Sequence, residues 1–191
     1  FYDGQIFLTG TWNPMTDYSK KLGQWATKGQ TWDMPVLVGE FGIKRSSEDG
    51  VEYLRRNYRA MDLHLLHCTQ WEYSTAPVDW NDEGMSVINP DGTDSVLVPA
   101  MIRAFPNAVA GTIQSFTFNP ETLTGTLVYT ARAKGTTEIS APLRLYPEGK
   151  IAVDIQGATG CHNYDDRRQL LTVHVDTAAE VTITFSPAAD R

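Results

Sequence analysis

Near Phe105 the period of the apolar pattern changes, and this change limits the folds open to the 191-residue chain more than any other feature. Before it, short apolar runs alternate with amphipathic stretches. After it come only short alternating segments separated by turn residues. Tyr18, Leu22 and Trp25 recur at helical spacing, and that pattern stops at Gly29. Pro35-Val36-Leu37-Val38 is too short for a helix and has the continuous apolar character of a parallel strand buried on both faces. Val51, Leu54, Tyr58, Met61 and Leu65 predict a second helix, with Ser46 or Ser47 as its N-cap and Glu48 and Asp49 complementing its dipole. A strand from about Leu66 to Tyr73 follows, then a polar loop, then a helix over 95–104 capped by Asp94 or Ser95. Strand, helix, strand, helix implies a parallel sheet.

Beyond the boundary, Phe116 and Phe118, Leu143 and Leu145, Ile151, Val153 and Ile155, Val173 and Val175, and Val181, Ile183 and Phe185 each alternate with other residues, as half-buried strands do. Turn signals at Asn119-Pro120, Pro147-Glu148-Gly149 and Gly157 to Gly160 separate them at the spacing of an antiparallel β-sandwich. The expected organisation is α/β over 1–105, then all-β over 106–191.

The charge balance, 23 acidic against 16 basic side chains and a formal net charge of -7, comes without a basic stripe. Nucleic acid is therefore not an expected partner, because phosphate neutralisation needs clustered Lys and Arg. No apolar run approaches the roughly 20 residues of a membrane-spanning helix. The chain opens at Phe1-Tyr2-Asp3-Gly4 without an initiator Met, which fits a processed or truncated product and allows for a signal peptide upstream. Cys68 and Cys161 leave three states open: one disulfide, buried free thiols, or bonds elsewhere.

The chemistry centres on Pro35-Val-Leu-Val-Gly-Glu-Phe-Gly42, an apolar strand that delivers one carboxylate, Glu40, between two glycines at its C-terminal end. In β/α barrels that end is where catalysis happens. A carboxylate ending a strand also simply faces water, so the motif alone is weak. About 30 residues on, one β/α unit later, Gln70-Trp71-Glu72-Tyr73 ends the next strand. Period-two alternation there would send Trp71 and Glu72 to opposite faces. An indole is the platform on which the C–H face of a pyranose packs, although Trp71 also suits an ordinary core.

With these residues in place the chain resembles the glycoside hydrolase family 5 barrel, in which a nucleophilic Glu ends the seventh strand and a Trp the eighth. Phe1-Tyr2-Asp3 looks like the end of that family's His-x-Tyr motif. By that resemblance Tyr2 would donate its hydroxyl to Glu40 and keep it ionised. Adding Gln-Trp-Glu-Tyr-Ser, the Trp80-Asn-Asp-Glu-Gly-Met85 loop and the terminal sandwich, essentially the whole chain is similar to endoglycoceramidases and their relatives. That resemblance implies the last strands and helices of a (β/α)8 barrel, no cofactor, a secreted or extracellular setting, and hydrolysis of the β-glycosidic bond between oligosaccharide and ceramide with retention. Glu40 would attack the anomeric carbon, and a second carboxyl about 5 Å away would serve as acid and base. Tyr2, Asp3 and Trp71 would bind substrate, and Trp80 would either contact sugar or lipid or pack its loop against the barrel.

In the family the acid follows an Asn on the fourth strand, and no Asn-Glu pair occurs in this chain. Glu72, Asp79, Asp82 and Glu83 are poor substitutes: Glu72 is expected to point away from Trp71, and the others belong to a polar loop that could touch substrate. A few barrel strands alone leave an open apolar face. The expected partner is therefore the N-terminal part of the barrel, as a companion chain or cleaved fragment. Glycosphingolipid is the expected substrate and a bilayer a further contact. Met85, Val87 and Ile88 would either line a groove for ceramide or close the loop's own core. A soluble-glycan glucosidase or glucanase is one alternative; a non-catalytic glycan- or membrane-binding fragment is another. The latter would call for an exposed aromatic row, which Tyr129, Tyr146 and Tyr164 do not make in sequence. His64, His67, Cys68 and Cys161-His162 match no strong zinc spacing, and Arg167-Arg168 reads as a solvated turn pair.

Overall fold

The computed structural model describes residues 12–75 and 82–189. The chain divides into two compact units, 1–101 and 102–191.

In the first unit, helix α1 (Tyr18–Trp32) starts where the Asp17 side chain accepts the backbone N–H of Lys20 and ends at Asp33, whose φ of 52° is left-handed. It runs three residues past the stop expected at Gly29. A Cβ on Gly29 would lie 2.5 Å from Val36 Cγ2 and 2.8 Å from the Met34 carbonyl oxygen, so this glycine admits the chain returning toward the next strand. Strand β1 (Leu37–Phe41) follows, then helix α2 (Gly50–Leu63), strand β2 (His67–Gln70) and the single turn α3 (Val98–Met101). Helix α2 begins after Asp49, in a left-handed conformation with no side-chain cap, so neither Ser46 nor Ser47 is its N-cap. Helix α3 is much shorter than the expected 95–104. Ser95 opens it: its hydroxyl accepts the Leu97 N–H at 3.2 Å and its carbonyl the Val98 N–H at 3.2 Å. Strands β1 and β2 pair in parallel, as β/α alternation requires. Leu22, Phe41, Ile43, Tyr53, Leu54, Met61, Met85 and Leu97 are fully buried or nearly so.

The second unit is an antiparallel β-sandwich. Among the described residues its strands are β3 (Phe105–Ala108), β4 (Gly111–Asn119), β5 (Thr124–Ala131), β6 (Gly135–Ser140), β7 (Ile151–Gln156), β8 (Gly160–Asp165), β9 (Leu170–Val175) and β10 (Glu180–Pro187). One sheet has the order β4-β5-β10-β7 and the other β3-β6-β9-β8. Inward residues of both, including Phe116, Leu127, Tyr129, Ile139, Leu171, Val173, Val181, Ile183 and Phe185, form one core. Leu143 and Leu145 are not a strand. They lie in the turn that carries Tyr146 into this core, where its hydroxyl donates to the Leu123 carbonyl at 2.8 Å and burial pushes its pKa up.

Candidate active site

Glu40 owes its position to an irregularity in β1. Leu37 pairs with His67 and Val38 with Cys68, but the next pair is Phe41 with Gln70, so β1 carries one residue more than β2 across this interval. That is a β-bulge, a device that re-aims side chains at strand ends. Strict alternation would give Glu40 the buried environment of Val38 and leave Phe41 outside. With the bulge the order is reversed: Leu37, Gly39 and Glu40 are exposed while Val38 and Phe41 are buried. Thr69, opposite the extra residue, donates its hydroxyl to the Gly39 carbonyl. Phe41 is seated edge-on against Tyr58, with ring centroids 5.3 Å apart, and the Tyr58 hydroxyl donates to Gln70 Oε1 at 2.6 Å. The bulge is thus held from both sides of the strand pair.

Trp71 follows directly. Its backbone N–H donates to the Phe41 carbonyl at 2.8 Å, so the indole-bearing residue is tied to the residue after Glu40. Strand β2 ends at Gln70 rather than Tyr73. The alternation expected to separate Trp71 from Glu72 has no strand to act on there; both are half-buried, and the bond between them is cis. Gly42 lies against the Trp71 carbonyl so closely that a Cβ there would overlap the oxygen. The indole N–H donates to Glu83 Oε2 at 2.8 Å.

Glu83 begins a segment fixed along its length. The Arg45 N–H donates to the Gly84 carbonyl at 2.8 Å and the Arg45 guanidinium to the Ile88 carbonyl at 2.9 Å. Fully buried Ser86 receives the N–H groups of Ser74 and Ile88 on its hydroxyl and donates to the Ser74 carbonyl at 2.7 Å. Met85, Val87 and Ile88 are buried, so they close the core beneath this loop and do not line an open groove.

Of the expected site residues, Glu40 and Trp71 stand on adjacent strand ends, whereas Tyr2, Asp3 and Trp80 lie outside the described residues. Sequence reading missed the bulge and the Glu83 acceptor. The first leaves no mark in the order of residues, and the second is a contact across a loop. Elsewhere, His64 Nε2 lies 2.8 Å from the Ser19 carbonyl and 3.1 Å from its hydroxyl, a packed, hydrogen-bonded role. Among the described residues no group of three His, Cys, Asp or Glu could hold a metal ion. Cys68 is half-buried and Cys161 exposed, and no disulfide joins them. Asp165 Oδ1 accepts the N–H groups of Arg167 and Arg168, each at 3.0 Å, which makes that pair a capped turn. Tyr129 and Tyr146 belong to the sandwich core, and Tyr164 gives its hydroxyl to the Ala141 carbonyl at 2.7 Å.

Comparison with known proteins bears on the same features. Residues 103–185 match the glycoside hydrolase family 5 C-terminal domain. Endo-glycoceramidase II from Rhodococcus sp. is similar over 86% of this chain and 36% of its own, with 26% identity and a TM-score of 0.68. The chain is thus similar to an endo-glycoceramidase in fold and, over 103–185, to a family 5 C-terminal domain. A further structure of that Rhodococcus protein, of a lactosyl-enzyme intermediate, is matched over 90% of this chain and 39% of its own at 26% identity and a TM-score of 0.68. Sterylglucosidase 1 of Cryptococcus neoformans shares the fold, with a TM-score of 0.75 at 18% identity over 89% of this chain and 31% of its own. The chain spans about a third of the length of these solved structures. No curated protein matches it.

Proposed function

We propose that this chain is the C-terminal part of a retaining glycosidase that cleaves the β-glycosidic bond between oligosaccharide and ceramide. Glu40 is its nucleophile, and the acid/base carboxyl lies on further sequence of the same barrel. The observation that carries this reading is the bulge: it turns one carboxylate to the open side of a strand whose neighbour is followed directly by Trp71. Glu40 attacks the anomeric carbon as the leaving oxygen is protonated, giving a glycosyl-enzyme that water then hydrolyses with net retention. The lactosyl-enzyme intermediate of the Rhodococcus protein supports a covalent route in a relative. Trp71 stacks on the sugar, Tyr2 hydrogen-bonds Glu40, and Asp3 and Trp80 contact substrate.

The need for a companion segment rests on exposed apolar surface. Trp25 stands at core spacing from buried Tyr18 and Leu22, yet it is 52% exposed; Trp32 and Leu37 are 59% and 62% exposed. Among the described residues β1 pairs only with β2. The remaining barrel strands and helices, on a companion chain or an upstream segment, cover these groups. The complete enzyme is secreted and meets its glycosphingolipid substrate at a membrane surface.

The test combines this chain with the rest of its barrel and offers a ganglioside, a steryl glucoside and a cello-oligosaccharide in parallel. Release of intact oligosaccharide and ceramide, with retained anomeric configuration, is the expected result. Turnover of the cello-oligosaccharide alone would move the assignment to soluble glycans. Glycan or liposome binding without turnover of any of the three would leave a non-catalytic binding module.

A further inference from the structure

We infer that Glu83 is a positioning residue for sugar binding: its carboxylate fixes the plane of the Trp71 indole and so sets the ring face offered to the glycan. The inference rests on Trp71 being the sugar platform and adds a residue to that same site.

A tryptophan platform works only in one orientation, because the stacking energy depends on the overlap of two flat faces. The backbone of Trp71 is fixed by its N–H bond to Phe41 and by contact of its carbonyl with Gly42. Neither contact fixes rotation about the side-chain bonds. The indole has a single polar handle, Nε1–H, and at 2.8 Å Glu83 Oε2 holds it in a charge-assisted hydrogen bond.

The acceptor is well supported in turn. Directly after Glu83, Gly84 is bound through its carbonyl to Arg45, Met85 is 1% exposed and Ser86 is completely buried in a three-bond hub. Arg45 itself lies just beyond the strand that carries Glu40. A carboxylate on such a base is a fixed point against which a half-buried ring can be aligned. It meets the indole at its edge, through Nε1–H, and not on a ring face. Glu83 therefore acts through Trp71 and is neither the acid/base nor a direct sugar ligand.

The experiment is a double-mutant cycle in the complete enzyme, reading KM and kcat separately for Glu83→Ala, Glu83→Gln, Trp71→Phe and the Glu83→Ala/Trp71→Phe pair. Trp71→Phe keeps an aromatic face but has no N–H for Glu83 to hold. Losing a hydrogen bond to a charged group should raise KM roughly tenfold in Glu83→Ala, with kcat changed much less, and Glu83→Gln should restore most of the loss. In the Trp71→Phe background Glu83→Ala should have no further effect. The 15N-edited NMR resonance of the Trp71 indole N–H, assigned by its disappearance in Trp71→Phe, should shift on Glu83→Gln, a signature available even if Glu83→Ala does not fold. Additive losses, or an unmoved KM and indole resonance in the Glu83 variants, overturn the inference. If Trp71→Ala leaves KM unchanged, the platform reading itself fails, and that outcome is distinct from a normal platform indifferent to Glu83.

Discussion

Two glycines flank Glu40, and the structure gives them opposite responses to the same substitution. A Cβ on Gly42 would overlap the Trp71 carbonyl oxygen, a backbone atom that cannot rotate away. Relief requires the chain after β1 to separate from Trp71, against the Trp71 N–H bond to Phe41. Overpacking of this kind destabilises by about 1–3 kcal/mol. For a domain of about 100 residues, each kcal/mol lowers Tm by about 4–8 °C. A Cβ on Gly39 would meet nothing within 4 Å, and the Gly39 backbone is outside the left-handed region. Gly39→Ala should therefore be neutral or stabilise by about 0.4–1 kcal/mol, through the reduced freedom of the unfolded chain. Because that Cβ would stand on the open side of β1, beside Glu40, it should nevertheless raise KM for the glycan. Urea unfolding followed by circular dichroism, with steady-state kinetics on the same preparations, measures both effects. Equal destabilisation by the two alanines, or an unchanged KM in Gly39→Ala, would refute the assigned geometry of the β1 end.

Ser86→Ala removes the hydroxyl that joins Ser74 to Ile88 and leaves buried backbone N–H groups without their acceptor; an unfolding loss of about 1–3 kcal/mol is expected in chemical denaturation. In the sandwich, burial raises the Tyr146 pKa above the ordinary value of 10.0, so its contribution to stability is fully present below about pH 10 and is lost as pH rises toward the folded-state value. Tyr146→Phe should lose about 1 kcal/mol at neutral pH, with its bond to Leu123, and flatten the decline in stability above pH 10 when unfolding is measured across the alkaline range. Phe185→Ala empties the space above Gly125 and should destabilise the sandwich by about 3–5 kcal/mol in the same assay.

Some of this was legible in the sequence because the responsible residues act locally. The apolar run at Val36 to Val38 and the helical spacing of Leu54 and Met61 predict parallel β/α order, and β1, α2 and β2 follow it. Glu40 and Trp71 stand, as the spacing of their motifs predicts, near the C-terminal ends of neighbouring strands one β/α unit apart. The bulge is not legible, since one extra residue between Val38 and Phe41 is defined only by its partner strand. Strand β6 is hidden because an inward position is polar: Thr137 is fully buried, with its hydroxyl accepting the Ala110 N–H at 3.2 Å. Strand β8 is hidden for the opposite reason, since Gly160 to Asn163 lie exposed on a sheet edge and carry no apolar alternation. Leu143 and Leu145 alternate like a strand, but Pro142 and Pro147 bracket them: the Pro142 carbonyl accepts the N–H groups of Leu145 and Tyr146 in a turn. Gly29 ends the apolar spacing but not the helix, because its role is close packing.

Retaining hydrolysis by this site depends on Glu40 forming a bond to sugar carbon. A 2-fluoro glycoside with a dinitrophenolate leaving group tests this directly, because such a leaving group departs without an acid and the fluorine slows hydrolysis of the glycosyl-enzyme. Intact-mass measurement followed by peptide mapping should find one added sugar, on the peptide containing Glu40, and Glu40→Gln should abolish it. An adduct on any other carboxylate, or unchanged labelling in Glu40→Gln, would contradict the account.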